Sequence, residues 1–174
     1  MSSINRTLTG RERTFPETEI IVSKTDRSSR LTYVNDIFCE VSGYSEAEAL
    51  GKAHNLVRHP DTPRCLFKLM WDTIGRGEEI FAYLNNRAKN GDHYWVLAHV
   101  TADRDDNGQI SGFHSNRRTP RRDAVEKINP LYQRLRAIEH SHADPKDGLE
   151  ASFRLFLDIL NGEGKSYAEF VLGL

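Results

Sequence analysis

A change of hydrophobic period at Ile80 divides this chain and limits its fold. Before it, Leu66, Phe67, Met70, Trp71 and Ile74 recur at three- and four-residue spacing. That stripe predicts an apolar helix opened by Thr62-Pro63, with threonine as N-cap, and closed by Gly75 and Gly77. After it, Ile80–Lys89 and His93–Thr101 flank Asn90-Gly91. Both residues of that pair tolerate positive φ, which makes it the strongest short hairpin signal. Asp105-Asp106-Asn107-Gly108 marks a second turn, and Gln109–Arg117 a last strand. Three strands joined by tight turns form an antiparallel meander, whose apolar face needs cover from other elements.

The flanks supply that cover. Glu19–Asp26 and Arg30–Val34 read as two more strands around an Asp26-Arg27-Ser28-Ser29 loop. Asn35 can cap a short helix carrying Ile37, Phe38 and Val41, with Gly43 placed to end it. Ser45-Glu46-Ala47-Glu48 is a capping box for a second short helix. From Pro120 the pattern is helical. Leu131, Leu135 and Ile138 share a face, with Asn129-Pro130 as a start or kink. Asp144-Pro145 opens a helix with Leu149, Phe153, Phe156, Leu157 and Leu160, and Ser166–Glu169 starts a last turn. The expected class is α+β, divided into a flexible polar arm over 1–14, a sensor-sized domain over 15–119 and a helical extension over 120–174. The apolar faces of the extension either fold back on the sheet or serve dimerisation and docking.

Lys and Arg number 24 against 25 Asp and Glu in 174 residues, a net charge of −1. No basic field for nucleic acid follows from that balance. No apolar run approaches the roughly 20 residues of a bilayer span, and the N-terminus has no signal-peptide core, so a cytoplasmic chain without membrane insertion is expected. Cys39 and Cys65 form no CxxC pair, which argues against a disulfide scaffold or a cysteine zinc site. GxSxG, GxGxxG, Gly-rich phosphate-loop and kinase motifs are all missing, so no enzyme is expected.

The densest polar cluster is His54-Asn55-Leu56-Val57-Arg58-His59-Pro60-Asp61, between two predicted helices. Arg58 is a fork-shaped donor suited to phosphate, and His59 can add a second. Alternatively, Asp61 or Thr62 caps the next helix and Arg58 pairs with Asp61 at the surface. Trp71 and Trp95 can wall an aromatic slot or simply fill the core. Asn85-Asn86 is unusual within a strand. Alternation turns one amide toward the covered face, where a flat heterocycle's edge would satisfy it; a solvent position at the strand end is the other reading.

Five words carry a resemblance: Tyr33-Val34-Asn35-Asp36-Ile37-Phe38, Val41-Ser42-Gly43-Tyr44, Leu50-Gly51, His54 through Asp61, and Lys89-Asn90-Gly91-Asp92-His93-Tyr94-Trp95-Val96. In their order and spacing the chain resembles the PAS domain of bacterial aerotaxis receptors, from about Thr14 to Arg118. The resemblance implies a five-stranded antiparallel sheet with short helices over one face, and FAD held non-covalently as a redox reporter. It implies Arg58, His59 and Asp61 as residues that retain FAD, and Asn35, His54, Trp71 and Asn86 as others around the flavin cleft. Redox or oxygen and energy status would then reach a partner by contact, with a homodimer and a downstream signalling protein as the expected partners. The light-sensing PAS branch needs a cysteine motif that this chain lacks. Two other readings remain: a haem b gas sensor using His54, His59, His99 or His114 as axial ligand, and a cofactor-free interaction module.

Overall fold

The computed structural model describes residues 7–174. Its sheet has five antiparallel strands: β1 (Ile21–Asp26), β2 (Leu31–Val34), β3 (Ile80–Arg87), β4 (His93–Arg104) and β5 (Ile110–Arg118), in the order β2-β1-β5-β4-β3. Between β2 and β3 run α1 (Asp36–Ser42), α2 (Glu46–Ala49), a 3-10 turn (His54–Val57) and α3 (Arg64–Gly75). After β5 come α4 (Arg122–His140), α5 (Pro145–Gly162) and α6 (Tyr167–Leu172). This is the expected α+β architecture, with helices covering both faces of the sheet.

The caps are mostly local. The Asn35 side chain accepts from the Phe38 amide, and Gly43 ends α1 in the left-handed region at φ 74°. Ser45 and Glu48 close a full capping box on α2, as Ser166 and Glu169 do on α6. Two expectations fail. The Thr62 hydroxyl does not cap α3; it donates to the Asn85 carbonyl at 2.8 Å, and Pro63 precedes the helix without a side-chain cap. The Asn90-Gly91 turn is not a two-residue loop, because only Gly91 has positive φ, at 96°. The Gly91 amide bonds the Ala88 carbonyl and the Ala88 amide bonds that of Asp92. That is a three-residue hairpin with its left-handed glycine at the end.

Gly91 is required there for a second reason: a Cβ would sit 2.0 Å from the Thr7 carbonyl oxygen. The segment expected as a flexible arm is, over residues 7–14, fastened to this hairpin; residues 1–6 lie outside the described residues. Thr9 and Arg13 amides donate to the Gly91 and His93 carbonyls. Their side chains hold Asp92 at 2.6 and 2.9 Å, and with Asn90 they keep its carboxyl well below the usual range.

The C-terminal helices fold back. Tyr132 of α4 donates to the Tyr83 carbonyl at 2.7 Å and stacks on Trp95, whose side chain stands on the sheet face away from α3. Helix α4 runs unbroken through Pro130, so that residue neither starts nor ends it. Its buried face is Ala124, Val125, Ile128, Tyr132, Leu135 and Glu139; of the three residues expected there only Leu135 is fully buried, and Leu131 and Ile138 are half-buried at its margin. Helix α5 buries Phe156 and Leu160, while Leu157 points outward. Among the described residues, no helix is long and apolar enough to cross a membrane.

Candidate functional site

A cleft of about 250 Å³ opens between α3, the 54–57 turn and the inner face of the sheet. Phe67, Met70, Trp71 and Ile74 from α3 form one wall, and Leu84, Val100 and Phe113 line the sheet side. The helical stripe therefore divides its work: Leu66, Met70 and Ile74 are buried, whereas Trp71 is 42% exposed and meets Phe113 edge-on at 5.4 Å. The polar lining is basic or neutral, comprising Ser23, Thr25, Ser29, His54, Asn55, Arg58, Asn86, Ser115 and Arg117, with no carboxylate among them.

Arg117 dominates the floor. Strand alternation turns Phe113, Ser115 and Arg117 inward together, and Arg117 is 1% exposed. Its Nη2 lies 2.5 Å from both Ser23 Oγ and His54 Nε2, while Nη1 has no hydrogen-bond partner among the described residues. Burial lowers its pKa to about 10, so the guanidinium stays charged at neutral pH. Desolvation of the His54 ring, with the Arg117 charge next, pushes that imidazole down to about 3. A neutral His54 accepts at Nε2, which places its proton on Nδ1.

Asn86 is 5% exposed with an unpartnered Nδ2 in the same cleft. Its neighbour Asn85 faces the other way and meets His93 Nδ1 through Oδ1 at 3.2 Å. Alternation divides the two amides as expected, but both sheet faces are covered. Thr25 Oγ1 is another unpartnered buried atom in the lining. Arg58 stacks over the Phe67 ring at 4.0 Å, and its guanidinium makes no hydrogen bond or ion pair among the described residues.

Of the seven residues singled out by sequence, His54, Arg58, Trp71 and Asn86 line the cleft and Asn35, His59 and Asp61 do not. Asn35 braces the sheet: besides capping α1, its Oδ1 accepts from the Val22 amide and its Nδ2 donates to the Ile20 carbonyl. His59 is buried beside His93, ring centroids 5.7 Å apart, and its Nδ1 accepts from the Asp61 amide. Burial lowers its pKa. Asp61 points to α4 and pairs with Arg136. The anticipated Arg58–Asp61 surface pair does not form.

Sequence reasoning missed Arg117, although its place two residues after Ser115 and four after Phe113 put it on the covered face. It also missed Ser23 and Thr25, for which a period-two reading of β1 is the available signal. Among the candidate axial histidines only His54 lines the cleft; His99 stacks on Phe81 and meets Glu79, while His114 meets Asn116. Neither cysteine lines it. Cys65 is fully buried, and burial pushes its thiol up to about 12.

Comparison with known proteins places this geometry. The family model described as PAS fold matches residues 31–117. The chain is 44% identical over 118 residues to the aerotaxis receptor of Escherichia coli strain K12, covering 67% of this chain and 23% of that protein. It is 28% identical over 120 residues to the nitrogen fixation regulatory protein of Klebsiella pneumoniae, covering 69% of this chain and again 23% of the relative. The chain thus spans about a quarter of the length of these two proteins. Among solved structures, a light-oxygen-voltage domain studied with a flavin analogue superposes with a TM-score of 0.59 at 19% identity, covering 67% of this chain and 89% of that one. The dark-state Aureochrome1 LOV domain gives 0.56 at 22% identity, with 68% and 86% covered.

Proposed function

The chain belongs to the PAS-fold family, and on that footing we propose that it is a signal-sensing module holding a flavin non-covalently in the cleft under α3. The preferred flavin is FAD, by similarity to the aerotaxis receptor, and its redox state is reported to a partner protein or second copy by contact. The observation that carries this reading is the pair of unspent buried donors, Arg117 Nη1 and Asn86 Nδ2, in a cleft that contains no acid.

A buried cation without a counter-charge costs several kcal/mol, on the order of what an uncompensated ion pair loses. A ligand presenting acceptors offsets that cost. The polar edge of a flavin ring is rich in carbonyl and ring-nitrogen acceptors, so donors fit it where carboxylates would repel it. Bound there, a flavin supplies reversible electron uptake with a change of charge on the ring.

The chain's own residues do the rest. Arg117 and Asn86 orient the ring edge, and Asn86 is the amide able to re-pair when the ring's hydrogen-bonding changes. His54 stays neutral and holds Arg117 Nη2 in place, as does Ser23. Arg58, fixed by Phe67 with its guanidinium unpaired, is the phosphate donor. Trp71 and Phe113 exclude water from the mouth. Haem fits less well, because Nε2 of the only cleft histidine is engaged by Arg117 at 2.5 Å.

The deciding experiment is the visible spectrum of purified protein, followed by release and identification of any chromophore. A two-banded flavin spectrum that bleaches reversibly with dithionite is expected. A single Soret band transfers the cleft to haem. Colourless protein that refuses added FAD and haemin leaves a PAS interaction module.

A further inference from the structure

The residues of the Arg58-His59-Pro60-Asp61 word that miss the cleft have a different neighbour. Helix α3, whose side chains wall the cleft, has no N-terminal cap of its own. The acceptor at its first turn comes from 74 residues away: Glu139 Oε1 on α4 accepts the Cys65 amide at 2.9 Å. The same oxygen accepts the Ser152 hydroxyl of α5 at 3.1 Å, and Glu139 is 6% exposed. Gly148 makes this junction possible, since a Cβ there would meet the Glu139 carbonyl oxygen at 2.3 Å. One turn earlier on α4, Arg136 pairs with Asp61, and Arg64 donates to the Pro145 carbonyl at the start of α5 at 2.8 Å.

Three ties therefore join one short segment, residues 61–65, to the α4–α5 junction. On its other side the segment continues into Arg58, which faces the cleft, and Phe67, which stacks on it. The negative charge of Glu139 also reaches Arg58, opposing the effect of burial on that guanidinium. The connector is thus contacted by the cleft on one side and by the C-terminal helices on the other.

We propose that Glu139 and Arg136 are positioning residues for the cleft, and that segment 58–65 links ligand occupancy to docking of the α4–α5 pair. The proposal rests on the flavin reading for the identity of the ligand. Binding linkage is reciprocal: whatever factor the docked helices add to ligand affinity, the ligand adds to their docking. A carboxylate is suited to this place because it serves as the missing acceptor and complements the positive end of α3.

The test uses the full chain and FAD as probe. FAD is titrated into ligand-free wild type, Arg136→Ala, Glu139→Leu and Glu139→Gln, and amide hydrogen exchange over residues 136–152 is followed with and without FAD. Expected are at least threefold slower exchange there on adding FAD to wild type, and at least fivefold weaker FAD binding in Glu139→Leu. Glu139→Gln, which keeps an acceptor oxygen, restores affinity to within twofold, and Arg136→Ala lies between. Should Glu139→Leu fail to fold, Arg136→Ala, at a partly exposed site, decides alone by at least twofold weaker binding. Unchanged exchange over 136–152 on FAD binding, or affinity unaltered in the variants, overturns the linkage while leaving the flavin site intact. Wild type that takes up no FAD overturns the cofactor reading instead. The connector is then judged without ligand: the variants must speed exchange at residues 64–68 and leave β1 and β2 unchanged, and equal protection at 64–68 overturns it.

Discussion

The two faces of one sheet solve burial in opposite ways. On the face under α4, the polar groups that meet the sheet are matched, since Asn85 meets His93 and Tyr132 reaches the Tyr83 carbonyl while its ring lies on Trp95; the Tyr167 hydroxyl of α6 is the exception and has no partner among the described residues. On the face under α3, Arg117, Asn86 and Thr25 each keep an unpartnered buried atom, and the cleft they line holds two arginines against no acid. Matched burial is what a structural interface needs. Unmatched burial of donors, with space in front of them, is what a binding site looks like before its ligand arrives. The contrast separates the helices that finish the fold from the surface to which the proposed flavin site is assigned.

The largest effect belongs to the matched face. Leu135 of α4 is fully buried in the core, so Leu135→Ala is expected to lower unfolding free energy by about 3 kcal/mol. Urea melts of the ligand-free chain measure it, and a loss below about 1 kcal/mol would mean α4 is not docked as described.

Arg117→Met reverses the sign. Removing a buried cation that has no counter-charge, and whose neighbours Ser23 and His54 also meet each other, is expected to leave ligand-free stability unchanged or raise it by about 1 kcal/mol. Flavin retention should nevertheless fall at least tenfold. If ligand-free protein is instead strongly destabilised with flavin retention intact, Arg117 is a core residue, and the contrast between the faces collapses.

His54 gives the comparison a pH dependence. Its folded pKa of about 3 lies below its ordinary 6.5, so the unfolded chain binds the proton more readily. The stability contributed by a neutral His54 is present above pH 6.5 and is lost as pH falls from there toward 3. Ligand-free wild type should lose stability across that window, by up to one proton's worth of slope, and His54→Gln should flatten the curve. Equal slopes in the two proteins would show that His54 is not held neutral by the cleft.

Much of this was readable from residue order, and the failures have physical causes. Both capping boxes, the Asn35 cap, all five strands and the three long helices follow from local chemistry, which is encoded next to where it acts. Thr62 was misread because a hydroxyl chooses between its own helix and a strand brought near only by folding; it chose Asn85. Asn35 and Arg58 each sit in a resembling word, yet one braces backbone and the other faces the cleft, a distinction that needs coordinates. Arg117 escaped attention because an arginine near a strand end reads as a solvated charge. Alternation along β5 turns it inward with Phe113 and Ser115, a signal that outweighs its place near the strand end. The cap on α3 was invisible for a different reason, since its donor and acceptor lie 74 residues apart.

The smallest expected effect sharpens the comparison most. Tyr132→Phe keeps the ring on Trp95 and removes only the hydroxyl that reaches the Tyr83 carbonyl. A buried hydrogen bond of this kind contributes about 1 kcal/mol net, so the variant should lose roughly that much in urea melts. Tyr132 touches β3 and β4 from behind, away from the cleft lining and from segment 58–65. FAD affinity should therefore stay within twofold of wild type, although the variant and Arg136→Ala alter the same helix. If affinity falls in step with stability, the cleft senses the whole covered face. If it stays level while Arg136→Ala weakens binding, α4 speaks to the cleft through its last turns, where Arg136 and Glu139 hold the start of α3.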